Sequence, residues 1–165
     1  MNIKKIGFLF LMTIQTLLFS IIEACIPVPS IGINLGLSNI AIILVLYTYS
    51  YREALIVLLL ELILSMFFVS SPSMLFYSLA GGLLSLYCMN LFKNIFKDNI
   101  SIIGVSLVGA AFHNIGQIIA GMIILQSLSI LFYFPIVLLY SIFTGLFIGL
   151  TTKFILKKLI KISQN

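Results

Sequence analysis

The alternation of long apolar segments with short polar connections constrains this chain more than any other feature of its sequence. Six apolar segments run over residues 6–26, 35–49, 53–69, 74–92, 102–125 and 130–156. A helix needs about 20 apolar residues to cross the hydrocarbon core of a bilayer. Hydrocarbon offers no partner for backbone polar groups, so only helices and closed barrels span it. The pattern therefore predicts an all-α integral membrane protein with six transmembrane helices.

Composition argues against a water-soluble fold. Of the 165 residues, 62% are hydrophobic and 8% are charged, whereas a soluble domain carries about 25% charged residues. So few charges cannot cover a surface that faces water, and no polar segment is long enough to form a second domain. We therefore predict a single transmembrane domain over residues 1–165, with the lipid bilayer as its surroundings.

The basic residues predict how the chain is oriented. Lysine and arginine favour the cytoplasmic ends of membrane spans. All nine would share the inner side if the amino terminus is inside: Lys4, Lys5, Arg52, Lys93, Lys97, Lys153, Lys157, Lys158 and Lys161. The outer connections, residues 27–34, 70–73 and 126–129, contain none. We predict a multi-pass protein of the cell membrane with both termini cytoplasmic, and the net charge of +5 does not indicate a nucleic-acid partner.

A polar stripe interrupts the fifth apolar segment. Gly109, His113, Gln117 and Gly121 are spaced four residues apart, so they lie on one face of a helix. Asn114 points about 100° away from His113. The imidazole and the amides should face protein, water or a ligand rather than lipid. They either hydrogen-bond neighbouring helices or bind a small molecule.

Two carboxyl groups lie inside predicted spans with no basic residue at the same depth except His113. Glu23 is one turn from the outer end of the first span, and Glu61 lies in the middle of the third. A charged carboxyl group at the bilayer centre costs about 2.5–3.5 kcal/mol on insertion scales, so each must be paired, protonated or exposed to water. Glu23 is either an acid at the membrane interface or a helix cap, or it is a ligand contact. Glu61 either bonds a neighbouring helix or subunit, or takes part in moving a substrate or proton.

Asn39 stands at the outer start of the second span, after a loop rich in Pro, Gly and Ser over residues 27–34. Its amide either caps the helix and bonds the loop, or belongs to a loop that closes over a ligand. Small residues four apart, Gly116 with Ala120 and Gly145 with Gly149, indicate close helix packing.

Motifs for catalysis and for cofactors are missing. The sequence has no glycine-rich loop ending in Lys-Ser or Lys-Thr for nucleotide phosphates, and no aspartate cluster for Mg²⁺. One histidine and one aspartate do not make a catalytic triad. One histidine with two scattered glutamates lacks a recognisable metal-ligand spacing. We predict no catalytic residue, no metal site and no cofactor.

Several sequence blocks occur in a recognisable order. They are Ile26-Pro-Val-Pro, Leu35-Gly-Leu-Ser-Asn-Ile, Arg52-Glu-Ala-Leu, Phe76-Tyr-Ser-Leu-Ala-Gly-Gly-Leu-Leu-Ser, Gly104-Val-Ser, His113-Asn-Ile-Gly-Gln and Thr144-Gly. In this order they resemble a family described both as "Gx transporter" and as "heptaprenyl diphosphate synthase component I". That family is similar to the substrate-binding S components of energy-coupling-factor (ECF) transporters. The resemblance covers about residues 21–149.

The resemblance implies a six-helix, S-component-like bundle that binds a small molecule from the outer face. Such a subunit works with a membrane T component and cytoplasmic ATPases to take up its ligand. The family's other description implies instead a non-catalytic membrane subunit of a heptaprenyl or polyprenyl diphosphate synthase. The candidate substrate-binding residues come from three places. They are His113, Asn114 and Gln117 in the fifth segment, Glu23 and Asn39 at the mouth of the implied pocket, and Glu61 in the middle of the membrane.

Overall fold

The part of the chain that the computed structural model describes, residues 3–25, 36–68 and 72–163, is built from helices and contains no strand. Its α-helices are α1 (Ile3–Ala24), α2 (Asn39–Thr48), α3 (Tyr51–Phe68), α4 (Pro72–Phe96), α5 (Ile102–Leu125) and α6 (Phe134–Ser163). The 3-10 helices Lys97–Asn99 and Leu128–Tyr133 precede α5 and α6. The predicted loop 27–34 and residues 70–71 of the predicted connection 70–73 lie outside the described residues.

Local sequence signals explain where some of the helices begin and end. α5 occupies the predicted residues because the Ser101 side chain accepts a hydrogen bond from the Gly104 N–H at its start, 3.1 Å away. Gln126 ends α5 in the left-handed conformation. α4 begins at Pro72, two residues before the predicted start at residue 74, because a first-turn proline loses no helical hydrogen bond.

Several predicted boundaries differ from the structure, and the largest difference is at the end of α6, which continues to Ser163 rather than ending at residue 156. α2 begins at Asn39 rather than at residue 35, since Gly36 adopts a left-handed turn with φ of 75° just before it. α4 continues to Phe96, one turn beyond the predicted end at residue 92. α6 begins at Phe134 rather than at residue 130, because Leu128–Tyr133 forms the tighter 3-10 helix.

Four helical stretches are long and apolar enough to cross a membrane: Ile3–Glu23, Met74–Asn99, Ile102–Leu125 and Leu128–Leu159. α3 has 18 residues but carries three charged side chains, Arg52, Glu53 and Glu61. These findings make the chain a helical membrane protein. The six-span topology and the cytoplasmic location of both termini stay predictions.

α2 is the central helix of the core. Its 10 residues span about 15 Å, half of the roughly 30 Å hydrocarbon thickness. Every side chain from Asn39 to Leu46 is buried. A helix that is apolar on all sides is stable when other helices surround it, and contacts with the other α-helices provide that environment.

α4, α5 and α6 pack as antiparallel neighbours at backbone distance. A Cβ atom added to Gly116 on α5 would lie 2.6 Å from the carbonyl oxygen of Ala80 on α4. A Cβ atom on Gly149 of α6 would lie 2.8 Å from the Cα atom of Ile103 on α5. The prediction that these glycines mark close helix packing is confirmed.

Basic residues from separate helices meet at one end of the bundle. Lys5 near the start of α1 forms an ion pair with Glu53 near the start of α3. Lys93 near the end of α4 donates a 2.6 Å hydrogen bond to the Leu46 carbonyl oxygen and lies over the Tyr47 ring at the end of α2. We call this region, defined by Lys5, Glu53 and Lys93, the basic end.

Candidate functional site

A small polar cavity lies in the half of the bundle away from the basic end. Its volume is about 40 Å³, room for about three water-sized groups. The first five α-helices contribute to its wall. The polar side chains on that wall include Ser20, Glu23, Asn39, Glu61, Ser65 and His113. Four of the six predicted candidate residues are therefore brought together, although they are far apart in the sequence.

Glu23 joins the end of α1 to the start of α2. Its carboxylate accepts a hydrogen bond from the backbone N–H of Leu37, and its side chain is 7% exposed. Backbone N–H groups at a helix start lack intrahelical partners and attract negative charge. Glu23 thus holds the turn of Gly36, Leu37 and Ser38 that precedes α2 while it also lines the cavity, so a structural role and ligand contact are compatible.

Glu61 joins α3 to α1. Its carboxylate accepts a hydrogen bond from the Ser20 hydroxyl, and its side chain is 5% exposed. Among the described residues of the cavity wall there is no lysine or arginine. The wall therefore contains two carboxyl groups and no basic partner for either, apart from the imidazole of His113.

His113 is held by its neighbour on the polar stripe of α5. The side-chain nitrogen of Gln117 lies 3.0 Å from His113 Nε2. In this orientation the amide donates, so a neutral imidazole carries its proton on Nδ1. His113 Nδ1 is buried and has no hydrogen-bond partner among the described residues. The predicted stripe is thus a hydrogen-bonded pair, with Gln117 orienting His113.

Asn39 presents a second buried donor without a partner. Its side chain is 2% exposed, and within the described part of the chain its Nδ2 atom has no acceptor. Leaving a buried donor or acceptor unpaired costs about 1–3 kcal/mol. Asn39 and His113 both line the cavity, so the wall bears unused hydrogen-bonding capacity as well as two acids.

Gly81 on α4 allows His113 to approach the cavity. A Cβ atom at Gly81 would lie 2.9 Å from the His113 carbonyl oxygen and 3.2 Å from its Cε1 atom. A side chain at this position would push α5 away from α4 and move the imidazole with it. Gly81 is therefore a positioning residue for His113, a role beyond general helix packing.

Asn114 lies on a different face of α5 from the cavity. Its Nδ2 atom donates a 2.7 Å hydrogen bond to the Ser141 hydroxyl of α6, and Ser141 donates in turn to the Val137 carbonyl oxygen at 2.8 Å. This geometry matches the alternative in which Asn114 hydrogen-bonds a neighbouring helix. A ligand contact for this residue stays a prediction that the cavity does not support.

Ser20 and Ser65 line the cavity but were absent from the predicted set. Both had a signal in the sequence. Ser20 precedes Glu23 by three residues and Ser65 follows Glu61 by four, so each serine shares a helix face with its acid. Within the described residues, no group of three His, Cys, Asp or Glu side chains that could hold a metal ion occurs.

Fold and site together define a helical membrane protein with a polar cavity among its helices. The family model described as "Heptaprenyl diphosphate synthase component I" matches residues 12–155, and the chain belongs to that family. The predicted family membership is confirmed, whereas the similarity to ECF S components stays a prediction. Because the family is described as one component of a synthase, the match also supports the prediction that this chain is not an enzyme by itself. Neither the curated proteins nor the solved structures contained a match.

Proposed function

We propose that this chain is a non-catalytic membrane subunit that binds a small molecule in its polar cavity and acts together with a separate protein. The observation that carries the proposal is the cavity itself, with buried polar side chains converging from separate helices. Ionisable groups inside membrane bundles are costly and mark substrate or proton pathways. A bound molecule would use the hydrogen-bonding capacity of Asn39 and His113.

The family description favours a synthase as the partner. A first component requires at least one other, and this chain supplies no Mg²⁺-binding aspartate cluster of its own. In this form of the proposal the catalytic prenyltransferase is the other subunit. The membrane chain would hold it near the bilayer, where a long polyprenyl product partitions.

The position of the cavity favours a second candidate, small-molecule uptake of the ECF type. The cavity lies away from the basic end, and the positive-inside rule assigns the basic end to the cytoplasm. With six spans and both termini inside, the cavity would then receive its ligand from the outer face. A membrane T component and cytoplasmic ATPases would complete such a transporter.

Ligand binding is tested by mass spectrometry of small molecules that co-purify with the full chain in lipid nanodiscs. His113→Ala and Gln117→Ala should lose the molecule, because the first removes an unpaired cavity group and the second releases the imidazole. Phe132→Ala is the control, since Phe132 is 85% exposed and lies outside the cavity. If both polar variants stay folded and retain the molecule, the cavity is not its binding site.

The partner is tested by co-purification from native membranes followed by activity. A captured prenyltransferase whose activity with isopentenyl diphosphate rises on adding the chain would support the synthase subunit. Captured ATPases whose activity depends on the chain would support the uptake subunit. Recovery of neither activity with the chain would contradict the requirement for a separate protein.

A further inference from the structure

The described part of the cavity wall combines strong acceptors with no lysine or arginine side chain. Glu23 accepts hydrogen bonds from backbone N–H groups of Gly36, Leu37 and Ser38, and Glu61 accepts from the Ser20 hydroxyl. A carboxylate has about four lone-pair sites, so both retain acceptor capacity, Glu61 more than Glu23. The described wall offers no lysine or arginine to use that capacity.

The unpaired atoms of Asn39 and His113 supply an observation that does not depend on the acids. Asn39 Nδ2 is a donor, and His113 Nδ1 is a donor in the tautomer that Gln117 selects. Both side chains are more than nine-tenths buried on the cavity wall. A molecule that satisfies this wall must therefore offer an acceptor to these donors as well as donors to the carboxylates.

We propose that the cavity binds a small organic cation, an amine whose ammonium group pairs with Glu23 and Glu61 and whose neighbouring oxygen accepts from Asn39 and His113. This inference rests on the proposed function, because it names the class of the small molecule. An ammonium group supplies three donors and the positive charge that the wall lacks. An anion would instead meet two carboxyl groups in a site of low dielectric constant, where like charges repel strongly.

The size of the cavity limits the cation. A volume of about 40 Å³ admits about three or four non-hydrogen atoms, which fits the head group of a primary amine with an adjacent hydroxyl or carbonyl. A resident metal ion is a poorer match, since the described residues provide no three-ligand group.

The test uses three molecules of similar size that differ in charge: ethanolamine, ethylene glycol and glycolate. Each is titrated against the full chain in nanodiscs, with binding followed by calorimetry and by the shift in Tm. Ethanolamine should bind at least about tenfold more tightly than the other two. Glu61→Gln and Glu23→Gln should each weaken ethanolamine about tenfold or more, because charge-assisted hydrogen bonds become neutral ones.

The two glutamine variants are expected to remain folded. Glutamine retains an oxygen that accepts from Ser20 or from the Leu37 N–H, so the interhelical contacts persist. Asp98→Asn is the matched control, because it removes one acidic charge at an exposed position outside the cavity. The Asp98→Asn variant should bind ethanolamine as tightly as the unaltered chain does.

The outcomes separate this inference from the proposed function. If ethylene glycol or glycolate binds as tightly as ethanolamine, or if the glutamine variants bind ethanolamine unchanged, the cavity does not select a cation and only this inference falls. If none of the three binds, the charge of the co-purified molecule decides: a cation lost in Glu61→Gln supports the inference, and a neutral or anionic molecule overturns it. If no molecule binds or co-purifies, the inference and the proposed function fall together.

Discussion

Gly116→Ala tests the helix contact that brings His113 to the cavity. The added Cβ atom would lie 2.6 Å from the Ala80 carbonyl oxygen and 2.8 Å from both the Ala80 carbonyl carbon and the Gly81 Cα atom. All three are backbone atoms, which cannot rotate away as a flexible side chain would. Ordinary contact begins near 3.4 Å, so α4 and α5 must separate locally by roughly 0.8 Å.

The cost follows from overpacking. Inserting a methyl group into a well-packed contact costs about 1–3 kcal/mol, against which alanine gains up to about 1 kcal/mol over glycine in helix propensity. We expect a net loss of about 1–2 kcal/mol in the free energy of unfolding. Because His113 lies one turn away on α5, ligand affinity should fall as well.

The assay is equilibrium unfolding of the purified chain in mixed micelles, followed by helical circular dichroism. Gly7→Ala is the matched control, since a Cβ atom at Gly7 of α1 would meet nothing within 4 Å. That variant should be neutral or slightly more stable. Equal stability of the Gly116→Ala and Gly7→Ala variants would refute the close backbone contact between α4 and α5.

Three further predictions concern other contacts. A double-mutant cycle with Asn114→Ala and Ser141→Ala should give a coupling of about 0.6 kcal/mol, up to about 1.7, in the free energy of unfolding; zero coupling would argue against their hydrogen bond. Glu53→Gln should lower Tm at low ionic strength and less at high salt, because a partly exposed ion pair is screened; a loss independent of salt would contradict an electrostatic role. A membrane-impermeant maleimide should label exposed Cys25 in intact cells and leave buried Cys88 unlabelled; labelling of Cys25 only after lysis would reverse the predicted orientation.

Properties that depend on local sequence were predictable. The fifth helix lies at the predicted residues 102–125, and the structure shows local signals at both ends, an N-cap serine and a polar residue after the last apolar one. Helix packing at Gly116 and Gly149 followed from small residues at helical spacing. The pairing of His113 with Gln117 agrees with their separation of four residues on one face.

Properties that depend on contacts between helices were harder to predict from the sequence. Hydropathy marks an apolar segment without distinguishing lipid from protein around it, so it did not indicate that α2 is a short helix buried among the other helices. The sequence placed Asn114 on a different face of α5 from His113 without indicating its partner; in the structure its amide donates to Ser141 of α6. Serines of the cavity wall such as Ser20 and Ser65 were missed because a serine in a span has packing roles of its own.

Hydropathy and the positions of charges were enough to define a helical membrane protein whose few buried polar groups need partners, because both are properties of the linear sequence. The cavity depends on the tertiary structure. Glu23, Asn39, Glu61 and His113 come from four different helices, and only the packing of α1 to α5 brings them to one wall. That packing depends on backbone contacts at glycines such as Gly81, whose partners lie more than thirty residues away in the sequence.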